Sequence, residues 1–301
     1  MDVRYLKIPE GLSDDVRLQP MRDDTASNLL KSKVEAKSFV EGTLHHVVVA
    51  VCVLRREPEE ETGADTQLLY GENFTVFGER GDWCWGQASH DDYVGWVKKA
   101  HLKEGSAEAT HHIMSRGTFL YSQADLKSRP QMKIPMAAQV KVVGEEEIRG
   151  TKYLKTTKGW IIARHARHLG EYASDYVKVG ESIMGLAYLW AGRSTFGIDC
   201  SGFVQLSMQM AGIAVLRDTD MQEQTIGEEI SLKDDLSDLQ RGDLVFWPGH
   251  VGMMRDEKNL LHANGHTMTV FSEPLKEAVA RIDYLYGKPR SIRRPFALAA
   301  S

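Results

Sequence analysis

The sequence predicts an α+β protein in which helices pack on an antiparallel sheet toward the C-terminus, preceded by two small β-barrels. Three observations carry this. Two stretches of short alternating strands, VVVAVCVL to YVGWVKKAHL and GTFLYS to GWIIARHARHL, follow one another with turn formers between the strands. Both contain a Gly-Trp-hydrophobic step, about 65 residues apart. From about Val179 the hydrophobic pattern becomes helical, and strand-like segments return only at RGDLVFW, the order expected of an α+β domain.

At 301 residues and 42% hydrophobic content the chain is long enough for two or three domains, each with a core. A formal charge of -5 and a pI near 6.1 leave no basic field for non-specific nucleic-acid binding, so nucleic acid is not expected as a partner. The longest apolar stretch, Val47 to Leu54, is far shorter than the roughly 18 residues a membrane-spanning helix needs, so no membrane segment is expected. The opening MDVRYLKIPEGLSDDVRL mixes both charge signs and lacks the apolar region and cleavage site of a secretory signal, which predicts a cytoplasmic protein. Cys52, Cys84 and Cys200 fit neither a disulfide framework nor a CxxC metal pair, and reduced thiols are expected.

Taken in order, residues 1–44 read as a charged arm packing on the rest, 45–105 and 110–170 as the two β modules, and 175–298 as the α+β domain. In the modules, Gly95-Trp96-Val97 followed by His101-Leu102 echoes Gly159-Trp160-Ile161 followed by His168-Leu169. A strand ending in Gly-Trp-hydrophobic resembles the closing strand of bacterial SH3-like domains. EPEEETGAD reads as a solvated loop, and the adjacent pairs His45-His46 and His111-His112 lack the spacing of metal ligands; no metal is expected. Within 175–298, GESIMGLAYLW, DCSGFVQLSMQMAG (ended by Gly212) and MQEQTIGEEI read as helices. RGDLVFW, HVGMM, NLLHAN and TMTVFSEP read as strands.

Cys52 and Cys84 lie in apolar, strand-like company and read as small core residues. Cys200 is different. In IDCSGFVQLSMQ the apolar spacing of Phe203, Val204, Leu206 and Met210 places it in the first turn of a core-packed helix, where free amide donors and the helix dipole favour a thiolate. A thiol nucleophile needs an imidazole to exchange its proton and a third group to hold that imidazole's tautomer. His250 and His262 suit these roles, on strands joined by the turn RDEKN. His266, in the turn-like NGH, is the rival for the third role.

YLWAGRSTFGIDCSGFVQ, RGDLVFWPGHVGMM and LLHANG resemble, in order and spacing, the signature segments of the NlpC family of papain-like cell-wall cysteine peptidases. Together with the SH3-like modules, the pattern is similar to the γ-D-glutamyl-diamino-acid endopeptidases that trim murein peptides. The resemblance implies Cys200 as nucleophile, His250 as general base, His262 as the third member, and Tyr188 in the oxyanion hole. It also implies that Asp199 and Ser201, with Glu72 and Tyr93 from the first module, hold the free amine of an N-terminal L-Ala. Trp190 is expected either to wall the cleft or to sit in the core. Other readings stay open, since Asp199 is also a plausible helix cap and Glu72 and Tyr93 plausible barrel-surface residues. The residues suggest no role for Arg217 and Asp218, and Asp243 is only noted as polar and near the histidines.

The implied reaction is hydrolysis of the γ-D-glutamyl-diamino-acid bond of a small murein-derived peptide with a free N-terminal L-Ala, without metal or organic cofactor. An amidase or acyltransferase on the same scaffold, or a non-catalytic peptidoglycan-binding protein, are the alternatives.

Overall fold

A computed structural model describes residues 12–233 and 236–296. The expected leader-free opening falls largely on residues 1–11, and the expected domain end at 298 also lies outside the described residues. The chain forms two compact units that divide between Glu171 and Tyr172.

The N-terminal unit is all β apart from short 3-10 turns. Its first module is a five-stranded sheet in the order Val94–Lys98, Trp83–Ala88, Asn73–Arg80, Thr43–Val47, Leu102–Glu104, with a hairpin of Val51–Leu54 and Thr66–Leu69. The second has a five-stranded sheet ordered Pro130–Pro135, Gly117–Tyr121, Trp160–Ile162, Thr151–Thr156, Val142–Ile148, and a three-stranded sheet of Gln139–Val140, His111–Ile113 and Ala166–His168. In both, the Gly-Trp strand runs into a 3-10 turn, Lys99–His101 or Ala163–His165, and then into a short strand. The residue equivalent to His101 is therefore His165 and not His168, because the recurring feature is the turn's last position, not the leucine after it.

Residues preceding the first module cover its tryptophans. Trp83, Trp85 and Trp96 form one buried cluster, and the Arg22 guanidinium lies 5.0 Å and 4.7 Å from the ring centroids of Trp85 and Trp96, a favourable cation–π arrangement. Backbone and side-chain donors from Val94 and Gln87 bond to the carbonyls of Arg17 and Leu18, each at 2.8 Å. Cys52 and Cys84 are buried in this unit, as their apolar surroundings suggested. Tyr70 ties the modules together: it belongs to the core of the second with Ile113, Leu120 and Ile134, and its carbonyl accepts from Gln139 N at 2.8 Å. Gly71 follows with φ +80°, and a Cβ there would collide with the Gln139 carbonyl.

The C-terminal unit is built on a six-stranded antiparallel sheet ordered Glu228–Ile230, Ser291–Arg294, Leu244–Trp247, His250–Met254, Asn259–Asn264, Thr269–Pro274. The helix Cys200–Gln209 packs against its fourth and fifth strands, burying Phe203, Val204, Leu206 and Met208. A second core joins Val245, Trp247, Met254, Leu260 and Ile292 to Leu275, Ala278 and Ile282 of the helix Leu275–Tyr286.

Three expectations change here. The first helix is Tyr176–Ser182, not GESIMGLAYLW: Asp175 caps it by accepting from Val177 N and Lys178 N at 2.8 Å and 3.1 Å, and Gly185 at φ +80° turns the chain away before Tyr188. MQEQTIGEEI is split into the helix Thr219–Thr225 and the edge strand Glu228–Ile230, since Gly227 at φ +53° sits against the Arg294 carbonyl with no room for a side chain. The helix Leu275–Tyr286 and the strand Ser291–Arg294 were not anticipated; the strand enters the sheet between partners distant in sequence.

Substituting Gly71→Ala forces both a left-handed alanine and an overpacked module junction, and is expected to destabilise the N-terminal unit by about 2–4 kcal/mol. Calorimetric unfolding of the full chain measures it, and an unchanged transition would show that the junction yields freely.

Candidate active site

Cys200 opens its helix because Asp199, with extended backbone, caps it: the carboxylate accepts from Gly202 N at 2.7 Å. Gly202 is required by close approach, since a Cβ would meet the Gly192 carbonyl. The sulfur lies 4.0 Å from Thr219 Oγ1, and the backbone N–H of Val251, the residue after His250, is near enough to favour its charged form. Thus the start of the His250–Met254 strand adjoins the nucleophile candidate. His250 Nε2 lies 2.8 Å from His262 Nδ1, and His262 Nε2 lies 2.8 Å from Glu273 Oε1. Arg281 completes the row by donating to the same Glu273 oxygen.

Burial governs the protonation states. It pushes the Cys200 thiol up to about 11, assisted by the Asp199 charge and only partly opposed by Val251 N–H, Thr219 and Arg217. His250 is driven down to about 3 by burial first, then by His262 and Arg281. Both shifts favour the uncharged forms, a thiol and a neutral imidazole, over an ion pair. Desolvation thus acts against the thiolate that the helix terminus was expected to favour.

Arg217, for which the sequence suggested no role, organises the other side of the helix start. It is 1% exposed and clamps Asp199 with Nη1 to Oδ1 at 3.1 Å and Nη2 to Oδ2 at 2.6 Å, while Nη1 also donates to Ser201 Oγ at 2.7 Å. Asp199 and Ser201, expected to hold a substrate amine, are thus both engaged by a buried cation. Asp199 Oδ2 carries the single contact to Arg217 among the hydrogen bonds found at the carboxylate, whereas Oδ1 also serves Gly202 N and, at 3.3 Å, Ser201 Oγ.

Tyr188 is half-buried, anchored by its N–H to the Met268 carbonyl at 2.8 Å. Burial, then the nearby Cys200 and Asp199 charges, push its hydroxyl well above the ordinary range, so it stays a donor. Trp190 is 71% exposed, which removes the core reading. His266 is exposed in the turn after the strand Asn259–Asn264, and it is His262 that bonds His250. Asp243 is a sheet fastener: it accepts from Arg294 at 2.8 Å and 2.7 Å.

Glu72 and Tyr93 belong to the N-terminal unit and are buried in the chain. Glu72 Oε2 accepts from Leu69 N at 2.8 Å and lies 3.8 Å from His90 Nδ1; His90 Nε2 lies 3.0 Å from Asp91, whose Oδ1 accepts from Tyr93 N. His111 and His168 face each other at a ring separation of 3.9 Å, and His112 bonds the Glu171 carbonyl. Among the described residues no group of three or more His, Cys, Asp or Glu is placed to hold a metal ion, and no helix is long and apolar enough to cross a membrane.

Sequence reasoning missed Arg217 as a clamp and Glu273 as the partner of His262. Strand alternation was the available signal for Glu273, which pairs with Leu260 two register steps from the His262–Phe271 pair and so on the same face of the sheet.

A cysteine at a helix start, with a hydrogen-bonded imidazole pair on the adjoining sheet, defines a cysteine peptidase. Residues 185–286 match the NlpC/P60 family, residues 54–102 match the bacterial dipeptidyl-peptidase Sh3 domain, and the chain belongs to the NlpC/P60 family. It is 27% identical over 223 residues to the γ-D-glutamyl-L-lysine dipeptidyl-peptidase of Bacillus subtilis (strain 168), covering 66% of this chain and 71% of that one. Dipeptidyl-peptidase 6 of Lysinibacillus sphaericus is 25% identical over 248 residues, 72% of this chain and 86% of the relative. A probable endopeptidase of Haemophilus influenzae is 31% identical over 123 residues, 34% of this chain and 74% of the relative. An NlpC/P60 family structure from Bacillus cereus superposes with a TM-score of 0.70 at 20% identity, covering 84% of this chain and 99% of that one, a likeness of fold.

Two outcomes follow from the geometry. Arg217→Met leaves Asp199 buried without its counter-charge and is expected to cost about 3–5 kcal/mol in urea unfolding, more than Arg217→Lys. With a thiol pKa near 11, iodoacetamide labelling of Cys200, followed by peptide mapping, is expected to rise about tenfold per pH unit between pH 7 and 10. A plateau below pH 8 would instead reveal a primed thiolate.

Proposed function

We propose that this peptidase hydrolyses the bond between γ-D-Glu and a diamino acid in short wall-derived peptides carrying a free N-terminal L-Ala, in the recycling of such peptides. The carrying observation is the His250–His262 pair on the strands against which the Cys200 helix packs. Similarity to dipeptidyl-peptidases, one of them named for γ-D-glutamyl-L-lysine, supports the bond type.

In this reading Cys200 Sγ attacks the γ-carbonyl carbon as its proton passes to His250, which avoids holding a buried thiolate beforehand. The Cys200 backbone N–H, unpaired at the helix start, and the Tyr188 hydroxyl stabilise the oxyanion. The imidazolium then protonates the departing amine. Water deprotonated by His250 attacks the thioester, releases the L-Ala-γ-D-Glu dipeptide and restores the thiol. The scheme uses no metal or organic cofactor.

Amine recognition is assigned to Asp199 and Ser201, with Asp199 Oδ2, which accepts one bond from Arg217, as the acceptor with a lone pair to spare. Glu72 and Tyr93 enter as amine acceptors through the family resemblance alone, and Trp190, on its exposure, as an apolar surface for the peptide. The second β module is read as a further SH3-like domain, on the strength of the turn-and-strand sequence it shares with the first. A cytoplasmic setting accords with the three free thiols and with peptides already released from their glycan.

Cys200→Ala is expected to lower hydrolysis of L-Ala-γ-D-Glu-meso-diaminopimelate by at least about 10⁴-fold while the fold persists. N-acetylation of the same peptide is expected to reduce kcat/KM by about 10³-fold or more, because a polar site left without its partner discriminates strongly. Product masses and rates for the two peptides test both statements; a ratio near one would overturn amine recognition, and turnover by Cys200→Ala would overturn the nucleophile.

A further inference from the structure

The row His250, His262, Glu273, Arg281 has a direction that follows from donor and acceptor counting. We propose that Glu273 is a positioning residue whose carboxylate, acting through His262, fixes the tautomer that His250 presents to Cys200. The proposal rests on the reading of Cys200 and His250 as the reacting pair.

Burial works against ionisation of Glu273, but hydrogen bonds and charge from His262 and Arg281 outweigh it and hold the carboxyl below its ordinary value. An ionised carboxylate only accepts, so the His262 nitrogen 2.8 Å away, Nε2, carries hydrogen. Burial keeps His262 neutral despite its acidic neighbour, so its second nitrogen, Nδ1, is bare. Opposite that bare nitrogen at 2.8 Å stands His250 Nε2, which must therefore be the donor. His250 is itself neutral, and its remaining nitrogen, Nδ1, is left as a proton acceptor for the thiol. One acid on the strand Thr269–Pro274 thus orders two imidazoles. When His250 takes the thiol proton, the same row leads its charge toward a carboxylate.

The charged groups found against Glu273 are His262 on the neighbouring strand and Arg281 on the following helix. In Glu273→Gln the amide can offer N–H as readily as oxygen. With N–H toward His262 the row reverses, and His250 directs a hydrogen, not a lone pair, at the sulfur.

Imidazole ¹⁵N NMR of the full chain at pH 7 tests the assignment without reference to turnover. Wild type is expected to show both histidines protonated at Nε2; protonation of either at Nδ1 would overturn the proposal, and this needs no variant to fold. Glu273→Gln is expected to give a tautomer mixture and a kcat/KM lowered about 10–100-fold, with Glu273→Asp retaining more activity. Wild-type tautomers in Glu273→Gln would also overturn it. Hydrolysis by Cys200→Ala would sink the underlying reading, whatever the spectra show.

A separate observation lies in the N-terminal unit, where a cavity of about 180 Å³ opens beside the module junction. His46, Lys103, Lys141 and Lys158 line it and no carboxylate does, although the chain has 42 acidic against 37 basic residues. Lys141 is ion-paired with Glu108 at 2.5 Å, whereas the exposed Lys103 and Lys158 have no carboxylate partner among the described residues. Gly71 and Gln139, at the junction described above, give it a stiff wall. We infer that this cavity binds a compact anion with two or more charged oxygens, carboxylate or phosphate, through the ammonium groups of the lysines at its wall.

Calorimetric titration of the full chain with inorganic phosphate and with glutarate, at low and high salt, is the test. Saturable, salt-sensitive binding of either, weakened at least about tenfold in Lys103→Ala/Lys158→Ala, is expected, and the preferred anion identifies the source chemistry. Absence of binding by both at about 10 mM, or equal affinity in the double variant, would overturn the assignment.

Discussion

The buried ion pair between Arg217 and Asp199 is the constraint around which the active-site side of the C-terminal unit is arranged. Asp199 caps the helix that begins with Cys200, so the position of the sulfur depends on where that carboxylate is held. A capping carboxylate sealed from water needs a counter-charge with matched geometry, and a planar guanidinium supplies two parallel bonds. The same cation fixes Ser201 Oγ and reaches the Gly192 carbonyl at 3.4 Å, drawing together the strand turn before the cysteine and the loop after its helix. Gly202 is the steric counterpart of this electrostatic clamp, since only a residue without Cβ permits the helix to start so close to Gly192.

Desolvation then sets the chemistry. Burial favours the uncharged forms of both Cys200 and His250 and opposes the helix terminus that favours a thiolate. A pair pushed toward its uncharged forms places the burden on proton transfer in the reaction itself, which gives weight to the tautomer of His250. That tautomer is governed from Glu273, two hydrogen bonds away. The two halves of the site thus use charge differently: Arg217 neutralises a carboxylate for the sake of position, and Glu273 retains its charge to orient a chain of protons.

In the N-terminal unit the two β modules repeat a strand, 3-10 turn and strand, yet they are not interchangeable. Tyr70 leaves the first module to complete the core of the second, and the glycine after it allows the backbones to touch. The arm before the first module shields its tryptophan cluster through Arg22, which gives that one charge of the segment a role.

The sequence by itself determined what depends on neighbours along the chain. The capped, apolar-faced start of the Cys200 helix, the strands bearing His250 and His262, and the Gly-Trp repeat were all legible from local period and turn chemistry. The short strand Ser291–Arg294 was not, because its stability comes from partners on either side of it in the sheet and not from its own pattern. The roles of Arg217 and Glu273 were also hidden: each acts through side chains on other elements, Asp199 and His262, brought within 3 Å by folding. Nor does sequence state whether a helix-start cysteine is charged. Local geometry argues for a thiolate, and only the tertiary structure, by removing water from the sulfur, introduces the desolvation that opposes it.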